Sequence, residues 1–264
     1  MAIKKDRFRS PINTPIRRRA GQSAAERRDL LIETCLERAM LPVLSIIPLI
    51  VAECLHRIDS RPIPFPFLFS LLACAIGFAY LHLRRTRREV RKWTLGEQGE
   101  RYVGQILDRE MPRFGYKVYH DIQIKKKGRM MNVDHLLVGE NGVFLIEDKT
   151  WSKPERGQTV VKYDGNVVLK NGVPYRKPVI EAFALAKETN SYLHSITGRS
   201  YPVKPVLVFV GWYNQAENRH DSPLLLLSEK ALASFLPRHK PKQVPTKDDL
   251  RLLAAKLDAA EGMG

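Results

Sequence analysis

The sequence predicts a mixed α/β domain carried behind an apolar helical segment, and three observations predict it. Residues 62–83 run for 22 positions without Asp, Glu, Lys or Arg, long enough to cross a hydrocarbon layer of about 30 Å. Beyond Trp93, stretches of helical and strand periodicity alternate along the chain. Within them, Val143-Phe144-Leu145-Ile146 is apolar on both faces, the pattern of a strand in the middle of a layered sheet.

In chain order, residues 1–38 form a basic N-terminal segment with 10 basic and 5 acidic side chains. Residues 39–83 are expected to form a helical membrane hairpin. Its first run, 39–52, is only 14 residues long and contains Pro42 and Pro48, so alone it fits a re-entrant or interfacial piece as well as a full span. Residues 84–92, with 6 basic and 1 acidic side chain, read as a basic juxtamembrane linker. These two basic blocks supply +10 of the net +16. Arg17-Arg18-Arg19, Arg27-Arg28 and Arg38 on one side, and Arg84-Arg85, Arg87-Arg88 and Arg91-Lys92 on the other, both belong on the cytoplasmic side of a plasma or inner membrane. Residues 56–61 would then be the outer tip. The alternative is a buried hydrophobic hairpin in a soluble protein, which leaves the basic clusters at both ends unexplained. The long polar leader argues for a retained N-terminus. Cys35, Cys54 and Cys74 all fall in or beside the apolar segment, so the rest of the chain has neither a disulfide framework nor a cysteine-based zinc site.

The domain proper spans 93–264. Thr94-Leu95-Gly96-Glu97 has the form of a capping box, with Thr94 as N-cap. The helix it opens runs to about Glu110, with Val103, Ile106 and Leu107 on its apolar stripe. Glu100 lies on or beside that stripe, either as an edge residue or as a group aimed into a site. A strand over 116–124 leads into the basic turn Lys125-Lys126-Lys127-Gly128-Arg129, then into strands near 130–138 and 143–150. A small hairpin over 158–170 turns at Asp164-Gly165-Asn166. Pro178 starts a helix reaching about Ile196, residues 206–210 form another buried strand, and C-terminal helices over about 228–259 are capped by Ser228 and Thr246.

The chemistry concentrates around Gly139-Glu140-Asn141-Gly142. If Glu140-Asn141 is a two-residue loop, Asp134 faces Glu147; if the loop is Asn141-Gly142, Asp134 faces Lys149. In both registers Asp134, Glu147 and Lys149 share one face. Two facing carboxylates destabilise a hairpin unless a divalent cation lies between them. Alternation sends His135 and Asp148 to the other face, where His135 reads as structural and Asp148 contributes its backbone. The competing reading is a plain surface hairpin with Glu147 and Lys149 paired along the strand, worth little if exposed. Lys125, Lys126, Lys127 and Arg129 suit a phosphate backbone or a solvated turn. Trp151 suits base stacking or packing of the sheet edge. A Walker-type loop, a dinucleotide fingerprint and a zinc-ligand cluster are all absent from the sequence.

The blocks Gly96-Glu97-Gln98-Gly99-Glu100, Asn132-Val133-Asp134-His135 and Gly142-Val143-Phe144-Leu145-Ile146-Glu147-Asp148-Lys149-Thr150 together resemble the nuclease-related domain (NERD) family over about 94–210. That family is similar to the PD-(D/E)XK nuclease superfamily. The resemblance implies a restriction-endonuclease-like core, a mixed central sheet flanked by helices, in the order helix, three strands, helix, strand. It implies catalytic roles for Glu100, Asp134, Glu147 and Lys149. Mg²⁺ or Mn²⁺ would be held by Asp134, Glu147, Glu100 and the backbone carbonyl of Asp148. Nucleic acid, DNA before RNA, would be bound by Lys125, Lys126, Lys127, Arg129 and Trp151, and the lipid bilayer would be met through 39–83. The sequence departs from the pattern at Val133, where the superfamily label has proline, and at Glu181, near where many members have glutamine. The implied activity is a membrane-anchored, Mg²⁺-dependent nuclease on the cytoplasmic side. The alternative is a catalytically inactive nucleic-acid- or partner-binding module tethered to the membrane.

Overall fold

The structure, a computed structural model, describes residues 17–56, 65–126, 128–154, 156–215, 221–241 and 245–261. The expected tip beyond His56, residues 1–16 of the N-terminal basic segment, and Lys127 lie outside the described residues. The chain divides into two compact units, Gln22–Gln98 on one hand and Met1–Gly21 with Gly99–Gly264 on the other.

Two helices make up the first unit: α1 (Gln22–His56) and the N-terminal part of α2 (Phe65–Glu110). Both are long and apolar enough to cross a membrane. Their large apolar side chains face outward, Leu41, Leu44, Phe67, Phe69 and Phe78 each being more than half exposed, while Ala39 and Ala75 are buried. Small residues let helices approach closely where lipid rather than water surrounds them. Arg28 pairs with Glu97, and the Arg27 guanidinium lies 5.2 Å from the Trp93 ring centre. Low numbers meeting high ones is the antiparallel pattern of a helical hairpin.

Of the two forms that the sequence leaves open for residues 39–52, the short one is not taken, because α1 runs for 35 residues through Pro42 and Pro48. Each interior proline costs about 3 kcal/mol, but the Leu-, Ala-, Glu- and Arg-rich turns around them favour the helix. Nor does a helix begin at Thr94. The expected linker 84–92 is helical and α2 passes straight through it, with the Thr94 hydroxyl donating back to the Val90 carbonyl at 2.9 Å. No Pro or Gly interrupts 84–95, and extending a formed helix is cheap whereas starting one is costly. Glu97, freed from capping, pairs with Arg28 instead.

In the second unit the strands are β1 (Lys117–Lys126), β2 (Arg129–Gly139), β3 (Gly142–Lys149), β4 (Val160–Tyr163), β5 (Val168–Lys170) and β6 (Val173–Tyr175). Helix α3 (Lys177–Thr197) follows, then β7 (Val203–Phe209), β8 (Tyr213–Asn214) and β9 (Leu225–Leu227), and finally α4 (Leu232–Phe235) and α5 (Lys247–Glu261). A five-stranded sheet has the order β1-β2-β3-β7-β9, and a four-stranded one the order β6-β5-β4-β8. Strands β1, β2 and β3 pair antiparallel, whereas β3 with β7 and β7 with β9 pair parallel. This is a mixed α/β architecture with helices flanking mixed sheets.

The central strand is buried from both sides, as its composition requires. Val103 and Leu107 of α2, and Met111 just beyond it, pack with Leu137, Phe144, Ile146, Val206 and Val208 on one face. Leu185 and Leu193 of α3, with Leu253 and Leu257 of α5, pack with Leu136, Val138, Val143 and Leu145 on the other. Each such side chain contributes about 1.5–3 kcal/mol by leaving water. The small hairpin is extended by β6 through the turn Asn171-Gly172, where both residues adopt positive φ, 48° and 84°. That geometry matches the twist of the flanking strands and favours Asn-Gly. At the C-terminus, Thr246 and Asp249 cap α5 reciprocally. Ser228 caps nothing with its side chain; its carbonyl accepts the Ala231 N–H at 3.0 Å, and α4 starts at Leu232 without a side-chain cap.

Candidate functional site

The hairpin takes the register in which Gly139 faces Gly142 and His135 faces Ile146. Continued by one residue, it sets Asp134 opposite Glu147. The ladder between β2 and β3 ends at His135 and Ile146, although β2 stays paired to β1 down to Arg129 and β3 stays paired to β7 up to Lys149. The two strands therefore part at Asp134 and Glu147, and the sheet forks there. Asp134 replaces the lost ladder bond, its Oδ2 accepting the Asp148 N–H at 2.9 Å.

Acids gather at this fork. Lys149 Nζ lies 2.6 Å from Glu147 Oε1 and 3.9 Å from Glu181 Oε2. The second oxygen of Glu147 is buried with no hydrogen-bond partner, and so is Oε2 of Glu100. Glu100 belongs to α2, on the opposite side of the sheet. It is delivered to the fork because α2 presses against the end of β3: a Cβ on Gly99 would lie 1.9 Å from Thr150 Oγ1. A side chain at position 99 would push the helix, and Glu100 with it, off the sheet.

Burial, then Asp148, Asp121 and Glu147, push the Glu100 carboxyl up to about 8. Burial, then Glu147, Glu100 and Asp148, raise Asp134 well above the ordinary carboxylate range. Burial opposes the charge on Lys149, but Glu147, Asp134 and Glu181 outweigh it and hold the ammonium more firmly than usual. Three acids thus repel one another in a low-dielectric pocket that contains one compensating amine. Among the described residues, no group of three His, Cys, Asp or Glu side chains already closes to metal-binding geometry.

On the other face runs a polar chain that sequence reasoning missed. His135 Nε2 lies 2.8 Å from Asp148 Oδ2, His135 Nδ1 2.7 Å from His120 Nδ1, and His120 Nε2 2.9 Å from Asp108 Oδ1. Burial lowers His135 to about 4 and raises Asp148. One set of tautomers satisfies the whole chain: a protonated Asp148 donates to a neutral His135, which donates to His120, which donates to the exposed Asp108 carboxylate. Beside it Arg18 pairs with the fully buried Asp121 at 2.5 Å. In the observed register His135 and Asp148 are diagonal neighbours on one face, a relation that the alternation of the two strands contained.

Of the remaining expected residues, those of the basic hairpin end lie apart from the acids, whereas Trp151 follows Lys149 by two positions. Lys125 is exposed and pairs with Met130, four residues from Asp134 and so about 13 Å away along the strand. Lys126 and Arg129 are paired backbone neighbours at the end of the same hairpin. Trp151 packs at 4.5 Å from Phe209, 5.2 Å from Tyr175 and 6.2 Å from Trp212, centre to centre, with Lys170 Nζ 4.9 Å from its ring centre.

No curated protein matches this chain. The crystal structure of protein VC1899 from Vibrio cholerae aligns at 15% identity over 92% of this chain and 58% of that one, with a TM-score of 0.23. Residues 95–210, which hold Glu100, the fork and α3, match the family model of the nuclease-related domain.

Proposed function

We propose that this protein is a membrane-anchored, Mg²⁺-dependent nuclease that hydrolyses phosphodiester bonds of DNA or RNA on the cytoplasmic side. The observation that carries the reading is the fork, where the buried, unpartnered oxygens of Glu100 and Glu147 lie beside Asp134 and Lys149. The donors are carboxylate oxygens, the class a hard divalent cation prefers. Mg²⁺ commonly takes only one or two protein carboxylates and leaves its other positions to water and phosphate, so three closed ligands are not required. Asp134 and Glu147 would hold the ion, with Glu100 and the Asp148 carbonyl completing the shell. When bound, the ion supplies an acidified water and neutralises phosphate charge.

The chain's own residues do the rest. Glu147 holds Lys149 in place, and the ammonium stays charged across the physiological range, ready to orient the attacking water or stabilise the anionic transition state. Water adds to phosphorus, one P–O ester bond breaks, and a phosphate end and a hydroxyl end result. The order helix, three strands, α3, β7 supports a PD-(D/E)XK-type core. The basic blocks flanking α1 and the apolar part of α2 support segments at 1–38, 39–83, 84–92 and 93–264, with both ends of the hairpin on the cytoplasmic side.

A second reading, a non-catalytic nucleic-acid- or partner-binding module, draws support from the Asp134 oxygen already engaged by the Asp148 N–H. One assay separates the two. The full chain in detergent, given labelled single- and double-stranded DNA and RNA with Mg²⁺, should cut at least one of them and lose that activity as Asp134→Asn. Salt-sensitive binding without turnover, indifferent to Mg²⁺, supports the second reading.

A further inference from the structure

Next to the fork stands an aromatic and basic surface that the acid chemistry does not use. Trp151 follows Lys149 by two residues, and its ring is enclosed by Phe209, Trp212 and Tyr175. Lys170 Nζ bridges the two indoles, 4.9 Å from one ring centre and 5.0 Å from the other. The outermost member is Tyr175, 40% exposed, on β6, an edge strand whose three residues all face solvent. Position ties it to the site. Lys177, two residues on, lies 3.6 Å from Glu181, which is itself 3.9 Å from Lys149.

The charge of this stretch is one-sided. Residues 151–177 contain Lys153, Arg156, Lys162, Lys170, Arg176 and Lys177 against two acids. A basic surface that presents an aromatic ring beside a phosphodiester site suits a polyanion whose bases have free faces. Every base offers a π-face to stack on, but inside a duplex those faces are already covered by neighbouring pairs. An ordinary apolar protein contact would explain Tyr175 yet leave Lys153, Arg156, Lys162 and Arg176 without a role.

We infer that the β5–β6 hairpin is a stacking platform on which Tyr175, braced by Trp151 and Lys170, holds an unpaired nucleotide flanking the scissile phosphate. The preferred substrate is then single-stranded or frayed nucleic acid. This rests on the phosphodiester reading of the fork.

The test is equilibrium binding by fluorescence anisotropy, using the full chain in detergent with EDTA so that nothing is cut. The probes are a labelled oligothymidylate of about 12 nucleotides, within the usual span of a single-strand site, and a duplex of the same length. The single strand should bind about tenfold tighter than the duplex. Tyr175→Ala should cost about tenfold for the single strand, the loss expected for one stacked base, and leave the duplex unchanged. Tyr175→Phe should bind normally, whereas Tyr175→Leu, which keeps apolar surface but no ring, should fail like the alanine variant. Duplex binding as tight as the single strand, or normal oligothymidylate binding by Tyr175→Ala or Tyr175→Leu, overturns the platform. In Mg²⁺, cleavage that persists in Asp134→Asn removes the mechanism at the fork but not the platform. Cleavage of duplex and single strand at equal rates, insensitive to Tyr175→Ala, removes the platform but not the mechanism.

Discussion

The helical pair and the α/β unit break the same rule in opposite directions. Along α1 and the apolar part of α2, Leu, Phe and Ile side chains stand exposed. Around the fork, Asp121, Asp134, His135 and Asp148 are buried. Neither choice stabilises a protein in plain water, since exposed apolar surface invites association and buried acids cost several kcal/mol without partners. In the function proposed above, the partner of the exposed side chains is hydrocarbon, and that of Asp134, Glu147 and Glu100 is a cation with phosphate; Asp121 and Asp148 already have theirs in Arg18 and His135.

If that contrast is right, the two regions respond independently to substitution. The largest effect belongs to the fork: Asp134→Asn and Lys149→Ala should each lower Mg²⁺-dependent cleavage at least about 10²–10³-fold, with membrane association unchanged. Next comes the helical pair. Ile76, 53% exposed, lies well inside the apolar part of α2, and Ile76→Asp should cost about 2.5–3.5 kcal/mol of insertion. In fractionation, that variant should appear in the alkaline wash while the parent stays with the membrane.

Smaller effects sharpen how the fork is built. Gly99→Ala places a methyl group 1.9 Å from Thr150 Oγ1 and 3.0 Å from Thr150 Cβ, so rotating the threonine does not clear it. A loss of about 1–3 kcal/mol is expected in denaturant titration, with weaker cleavage because Glu100 moves too. A further effect is in pH. Glu100 keeps its proton in the folded chain up to about 8, against an ordinary value of 4.5. The folded state thus binds more protons than the unfolded state in that window, and stability falls as pH rises from 4.5 to 8. Without divalent ions the thermal midpoint should drop across it, and Glu100→Gln should flatten the drop.

The sequence makes the hairpin legible because Gly-Glu-Asn-Gly restricts the register to two choices, and both put Asp134, Glu147 and Lys149 on one face. It does not reveal that β2 and β3 part at those residues, since a fork depends on each strand's other neighbour. The His120–His135–Asp148 chain needs the β1–β2 register as well, and local spacing does not encode that. Thr94 misleads because a capping pattern competes with a helix already under way. Strand β6 did carry a local signal, Asn171-Gly172, whereas β8 and β9 are two and three residues long, too short for periodicity to register.

Direct measurement of cation binding tests the fork most simply. Calorimetric titration of the full chain with Mn²⁺ at a pH above the Glu100 transition, with no nucleic acid present, should show saturable binding. Asp134→Asn and Glu147→Gln should each abolish it, and binding should weaken as the pH falls and the acids regain their protons. No saturable Mn²⁺ binding, or binding indifferent to both substitutions, would contradict the claim that these buried acids are built to hold a metal.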